Sequence, residues 1–218
     1  MGSDWRLIPM RLILVRHGWA SYAERRIFGG EKGCSGLTAQ GRIQAQRLCD
    51  RLRNWEELPE TALLFSSPLP RAMETAQLLA PAFAGHTIHR EPALEEMGVG
   101  IADGMTWDEF ESRFGYFDER AEPDRLWAPE GESWNMFRRR VCAFLDRVRS
   151  DHPDETVVAI THGGVIDVTM RELLGIPINH ARMPLNSNTS GLTEWSWSGD
   201  ASWNLVRYND TAHLEAMG

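Results

Sequence analysis

The sequence predicts an α/β protein: a single domain with one mostly parallel sheet and helices on both of its faces. Three observations predict it. Short apolar runs at residues 10–15, 62–65 and 157–160 each stop at a polar motif, as buried strands of such sheets do. Stretches with helical spacing of apolar residues lie between them. The length of 218 residues, with 42% apolar and 25% charged, suits one domain with an ordinary core. Strands alternating with helices then imply parallel pairing covered on both sides.

The elements follow in order. Residues 1–9 read as an extension or a cloning remnant, and residues 10–218 as the domain. The first strand, MRLILV, covers 10–15. Thr38 can cap a helix in which Ile43, Ala45, Leu48 and Leu52 recur on one side. A second strand at 62–65 is stopped by Ser66-Ser67-Pro68, and a helix over 71–83 turns Met73, Ala76, Leu79 and Ala80 inward. Ile88 and His89 are candidates for a short strand. A helix over 106–114 precedes a loop rich in acids and proline (Pro123, Pro129). A longer helix begins near Glu132, with Trp134, Phe137, Val141, Phe144, Leu145 and Val148 on one stripe. The third strong strand, 157–160, leads into a helix over 163–174. Two tail strands, 191–197 and 203–208, are joined by a Ser-Gly-Asp turn. There are no repeats and no linker.

Charge and composition exclude several classes of partner. The net charge is -8, with 31 acids against 23 Lys and Arg; a field of that sign repels nucleic acid and anionic membranes. No apolar run approaches the ~20 residues of a membrane span, and no secretory signal is visible. Cys34, Cys49 and Cys142 form no metal-like or redox pair, so a reducing cytoplasm is expected. No exposed apolar stripe stands out, and the sequence specifies no oligomeric state.

Ligands of open α/β sheets bind at the carboxyl ends of strands. Here Arg16-His17-Gly18 follows the first strand, Ser66-Ser67-Pro68-Leu69-Pro70-Arg71 the second, and Thr161-His162-Gly163-Gly164 the third. Two histidines and two arginines at such positions can converge on one point. Guanidinium groups hold phosphoryl oxygens bidentately at any pH, each charge-assisted bond giving about 1.5–3 kcal/mol. Amides at a helix start near Gly163 and Gly164 would add donors. Positive surroundings keep an imidazole neutral and nucleophilic, able to form a transient phosphohistidine. A leaving alkoxide also needs a proton, and Glu95 and Glu96 both offer a carboxyl group in the segment 93–100. Spacing alone does not choose between them.

Taken together, Leu14-Val15-Arg16-His17-Gly18, Leu37-Thr38-x-x-Gly41-x-x-Gln44-Ala45, Ser66-Ser67-Pro68-x-x-Arg71-Ala72-x-x-Thr75-Ala76 and Thr161-His162-Gly163-Gly164 resemble the histidine phosphatase superfamily, which includes the cofactor-dependent phosphoglycerate mutases. The matches run in order over roughly residues 10 to 208. The resemblance implies a phosphoglycerate mutase-like fold and a phosphoric monoester hydrolase of the histidine acid type. Such an enzyme uses neither metal nor cofactor and acts on a small-molecule phosphomonoester. His17 matches the phosphorylated histidine, and His162 the second catalytic one. Arg16 and Arg71, with Gly163, match the phosphate pocket. A family pattern of Leu-x-Glu before a glycine selects Glu96 as the proton donor, with Glu95 in reserve. There are also departures. Ala23 stands where many relatives carry Asn, residues 19–35 do not match the mutase loop, and the stretch after the donor is short and acidic, without the mutases' arginine pair. These favour a phosphatase over a mutase.

Singly, each motif has a plainer reading. Arg16 and His17 could cap a strand, Arg71 could be a surface helix residue, and His162 a satisfied turn histidine; only their company makes a site. His86, His89, His152, His180 and His213 lack ligand spacing and read as surface or loop residues. Gly98, Gly100 and Gly104 miss the dinucleotide fingerprint. Trp19 is a candidate substrate contact; Arg25 and Arg26 read as a solvated pair, and Asn186 and Ser187 as weaker pocket candidates. The rival functions are mutase-type phosphotransfer and a non-catalytic phospholigand-binding module.

Overall fold

Alternate residues of the first strand feed two separate cores. In the computed structural model, β1 (Met10–Arg16) is buried along nearly its whole length. Leu12 and Leu14 join the core beneath the later helices, while Ile13 and Val15 join the other. β4 (Thr156–Thr161) divides in the same way: Val157 and Ala159 face one side, Val158 and Ile160 the other. Period-two alternation of wholly apolar residues is what a strand covered on both faces requires. The structure describes residues 10–56, 58–83, 87–116, 118–178, 185–197 and 202–217; the expected Ser-Gly-Asp turn, His86, His180 and residues 1–9 lie outside them.

One face is covered by α2 (Ala39–Arg53) and α3 (Pro70–Leu79), which bring Leu48, Leu52, Ala72, Ala76 and Leu79 to the sheet. The other is covered by α5 (Trp134–Asp151) and α6 (Gly163–Leu174), through Phe137, Val141, Phe144, Val165 and Ile166. The sheet is completed by β2 (Leu63–Ser66), β3 (Ile88–Arg90), β5 (Leu192–Trp197) and β6 (Trp203–Asp210), in the order β3-β2-β4-β1-β5-β6. Pairings among β1 to β4 are parallel; β5 runs antiparallel to both neighbours, making the sheet mixed. Among the described residues no helix is long and apolar enough to cross a membrane.

Boundaries shift where local chemistry decides them. The helix expected over 71–83 is α-helical only to Leu79 and closes as a 3₁₀ turn over Ala80–Phe83, whose Pro81 lacks the N–H an α-helix would use. α5 starts at Trp134 because Ser133 caps it, its side chain accepting from the Met136 N–H at 3.3 Å. Thr106 and Glu109 form a reciprocal capping box on α4 (Trp107–Phe114). The unmatched stretch 19–35 contains a one-turn helix, α1 (Ser21–Arg25), which carries no apolar run to betray it. Gly18 and Gly41 make a close backbone crossing between the loop after β1 and α2: a Cβ on Gly41 would stand 2.1 Å from the Trp19 carbonyl oxygen.

Candidate active site

Parallel pairing brings three strand ends level. Arg16 stands opposite Thr161, and Ser66 opposite Ile160. The ladder then continues one residue further: the His17 N–H donates to the Thr161 carbonyl and the Ser67 N–H to that of Ile160, both at 2.9 Å. His17, Ser67 and His162 are thereby held side by side, at the edge where crossover helices begin.

Two hydrogen bonds fix the tautomer of His17. Its Nδ1 lies 2.7 Å from the Gly18 carbonyl oxygen, which can only accept, so Nδ1 carries the proton. The Arg71 Nε–H donates to Nε2 at 3.0 Å, so Nε2 presents its lone pair. The ring is 2% exposed. Burial, then the adjacent Arg71 and Arg16 charges, hold its pKa well below the usual histidine value despite the Gly18 bond.

His162 sits 5.1 Å away between ring centroids. Its Nε2 lies 2.8 Å from the Ser67 hydroxyl. With the Ser67 hydroxyl, which also accepts from the Leu69 N–H, donating its proton to Nε2, the His162 proton stands on Nδ1. This Nδ1 is buried without a protein partner, as is Nε of Arg16. A buried donor left unmade costs about 1–3 kcal/mol, and an oxyanion between the two would satisfy both. Burial and the Arg71, His17 and Arg16 groups hold His162 neutral as well.

The two arginines are fastened differently. Arg16 reaches the Ser187 carbonyl through Nη1, and its guanidinium packs against Gly163, where a Cβ would come within 3.5 Å of it. Arg71, on the first turn of α3, stacks over the Tyr22 ring at 4.6 Å and donates to the Gly29 carbonyl. Pro70 starts this helix without needing an N–H partner, so α3 begins abruptly and delivers Arg71 directly to the site.

The carboxylates stand on the loop after the 3₁₀ turn Pro92–Leu94. Glu96 accepts from the Gly164 and Met97 N–H groups, each at 3.1 Å. The expectation that both α6 amides serve a substrate is thus corrected: the Gly164 N–H is taken by Glu96. A Cβ on Gly164 would stand 2.1 Å from a Glu96 oxygen, so a side chain there would push the carboxylate from its place. Burial pushes the Glu95 carboxyl above the ordinary range, partly opposed by Arg140. Geometry and titration therefore point to different carboxyls; Glu96 is the one tied to α6 beside Gly163.

Two cavities meet at Glu96. One, of about 870 Å³, runs past Tyr22, Phe28, Arg71, Trp107 and Trp127. The other, of about 750 Å³, runs past Arg16, Gly163, Trp134 and Ser187. The six predicted residues, His17, His162, Arg16, Arg71, Gly163 and Glu96, form one connected cluster. Asn186 and Ser187 line the second cavity, and Arg26 and Ala23 the first; Arg25 lines neither. Trp19 also lines neither, and it holds α2 through its backbone bonds to Gln44 and Thr38. His213 is half-buried: its Nε2 pairs with the Ser190 hydroxyl, and the Ser190 N–H binds the Arg16 carbonyl behind the site.

Several contributors escaped sequence reasoning. Glu132 and Arg140 brace the acid loop, and Asp103 gathers the N–H groups of Gly30, Lys32 and Gly33 in the first cavity's wall. Only Ser67 carried a signal, its place in the Ser-Ser-Pro motif.

Comparison with known proteins agrees with this architecture. The chain is 31% identical over 213 residues to phosphoglycerate mutase-like protein 4 of Arabidopsis thaliana, covering 95% of this chain and 88% of that one. The solved structure of Bacillus stearothermophilus YhfR superposes with a TM-score of 0.80 at 28% identity, covering 94% and 100% of the two chains. The mycobacterial glucosyl-3-phosphoglycerate phosphatase, solved with VO3, gives a TM-score of 0.73 at 26% identity over 91% and 98%. Residues 12–211 match the histidine phosphatase superfamily, branch 1, and the chain belongs to that family.

Proposed function

We propose that this chain is a metal-independent phosphomonoesterase of the histidine acid type, acting through a phosphohistidine on a small phosphorylated metabolite. The observation that carries the reading is the pair of hydrogen bonds that aims the His17 Nε2 lone pair at a guanidinium. An arriving phosphate is a better bidentate partner for Arg71 than a neutral imidazole, so substrate binding draws Arg71 off Nε2 and frees it. In the first step, Nε2 bonds to phosphorus as the ester P–O bond breaks, and Glu96 gives its proton to the leaving oxygen. In the second, Glu96 takes a proton from water, the water oxygen bonds to phosphorus and the N–P bond breaks. Arg16, Arg71 and the Nδ1–H of His162 stabilise the equatorial oxygens, with Gly163 packed against Arg16. The three free thiols support a reducing, cytoplasmic setting.

The test is hydrolysis of 4-nitrophenyl phosphate in EDTA, with rapid alkaline quenching to trap labelled protein. Turnover and label are expected in the native chain. His17→Ala should lose the label and at least about a thousandfold in kcat. Undiminished turnover in that variant would remove the proposal. Release of inorganic phosphate without a bisphosphate primer separates this reading from a mutase.

A further inference from the structure

The larger cavity beside Arg71 and Glu96 is where the alcohol portion of a bound phosphate ester would lie, and its walls are specific. Phe28, Trp107 and Trp127 meet there, with ring centroids 4.2 Å apart for Phe28 and Trp107, 5.7 Å for Phe28 and Trp127, and 6.0 Å for the two tryptophans. Phe28 is anchored beneath by Phe110 and Ala102 in a small core of its own. Trp107, by contrast, remains 47% exposed. A tryptophan needed only for packing would bury its face; this one leaves apolar surface beside the opening. The volume, about 870 Å³, falls within the ~300–1,000 Å³ of sites for drug-sized ligands.

The charges along the same walls argue against a second anion. Once phosphate engages Arg71, Arg26 is the remaining cation among the lining residues, against the carboxyls of Glu31, Glu95 and Glu130. Asp103 is occupied by its three backbone N–H donors. A carboxylate carried on the alcohol would meet net negative charge in a half-enclosed space, where Coulomb terms are stronger than in bulk water.

We infer that the natural substrate is the phosphate ester of a bulky, ring-bearing alcohol with no anionic group, recognised by Phe28, Trp107 and Trp127. The inference rests on the phosphatase reading and refines it to a substrate class.

The test compares 2-(1-naphthyl)ethyl phosphate, the same ester with a carboxylate on the ring, and phosphoserine. All three are phosphates of primary alcohols, so leaving-group reactivity is broadly comparable. The uncharged naphthyl ester should exceed phosphoserine by about tenfold or more in kcat/KM, the scale of one well-filled apolar contact. Trp107→Ala should lose most of that margin through KM, with a far smaller effect on phosphoserine, and be rescued by Trp107→Phe. Glu31→Gln combined with Glu130→Gln should improve use of the carboxylated ester alone. Equal or better use of phosphoserine, or indifference of the naphthyl ester to Trp107→Ala, would overturn this inference while leaving the phosphatase reading intact. Absence of turnover with every phosphomonoester would overturn both.

Discussion

At the scale of single residues, the choice between Glu95 and Glu96 turns on what each carboxyl is tied to. Glu95 is half-buried, and burial pushes its carboxyl above the ordinary range, the usual mark of a general acid. Glu96 instead binds the first turn of α6, one residue from Gly163 and the Arg16 guanidinium. Geometry precedes titration in such assignments, so Glu96→Gln should lower kcat about 10²–10⁴-fold on an alkyl phosphate and less on 4-nitrophenyl phosphate, whose leaving group needs little help. Glu95→Gln should stay near native on both. The reverse ranking would transfer the role to Glu95. Sequence reasoning reached both residues because Leu-x-Glu followed by a glycine four residues on is a local pattern. It could not see that the Gly164 N–H holds Glu96, since that contact joins positions 68 apart.

At the scale of elements, α5 does more than cover the sheet. Arg140, on its second turn, donates to the carbonyls of Ala93 and Glu95 at 3.0 Å while pairing with both oxygens of Glu132 at 2.9 and 2.6 Å. Glu132 in turn accepts the Gly98 N–H at 2.8 Å. Burial alone would raise the Glu132 pKa, but Arg140 and Gly98 bring it below its usual value, so the pair is ionised and satisfied. The brace spans both ends of the acid loop, making Arg140 a positioning residue. Arg140→Ala should reduce kcat by about tenfold or more, since small misplacement of a reacting group costs up to about 10². KM for phosphate esters should change little, and Arg140→Lys should rescue only weakly because a point charge cannot reproduce the fork. A parallel loss in KM with unchanged kcat would show that the brace serves binding instead. The helix itself was legible from its apolar stripe. The brace was not, because an arginine on a polar helix face reads as solvated until the loop it grips is placed opposite.

At the scale of the whole molecule, the fold was legible wherever a covered strand or an amphipathic helix writes its period into the chain, as β1, β4, α2 and α5 do. Long-range polar pairings leave no such period. Arg11 and Glu194 form a buried ion pair at 2.7 Å across 183 positions, joining β1 to β5, and Arg207 of β6 adds a second contact to Glu194 at 2.8 Å. The same blindness applies to titration, which sets the last prediction. His17 and His162 are buried with lowered pKa values, and desolvation chiefly lowers His213 to about 4. Each is neutral in the folded protein where the unfolded chain would protonate it, near pH 6.5. The unfolded state therefore binds more protons below that pH, and stability present above it is lost as pH falls toward the folded values, by up to about 1.4 kcal/mol per pH unit for each histidine. Glu132 and Asp210, held low by arginines, lose their contribution only further down, below the ordinary carboxylate range. Unfolding by urea between pH 7.5 and 5.0 thus reads chiefly the imidazoles, opposed in part by the Glu95 and Glu119 carboxyls that burial raises. The midpoint should fall steadily over that interval with proton uptake on unfolding, and phosphate, by binding only the folded pocket, should raise it throughout. His213→Gln should flatten the slope by about one histidine's share without touching kcat. A midpoint independent of pH across that range would mean that the buried rings take up protons in the folded state, and with that the neutral nucleophile would be lost.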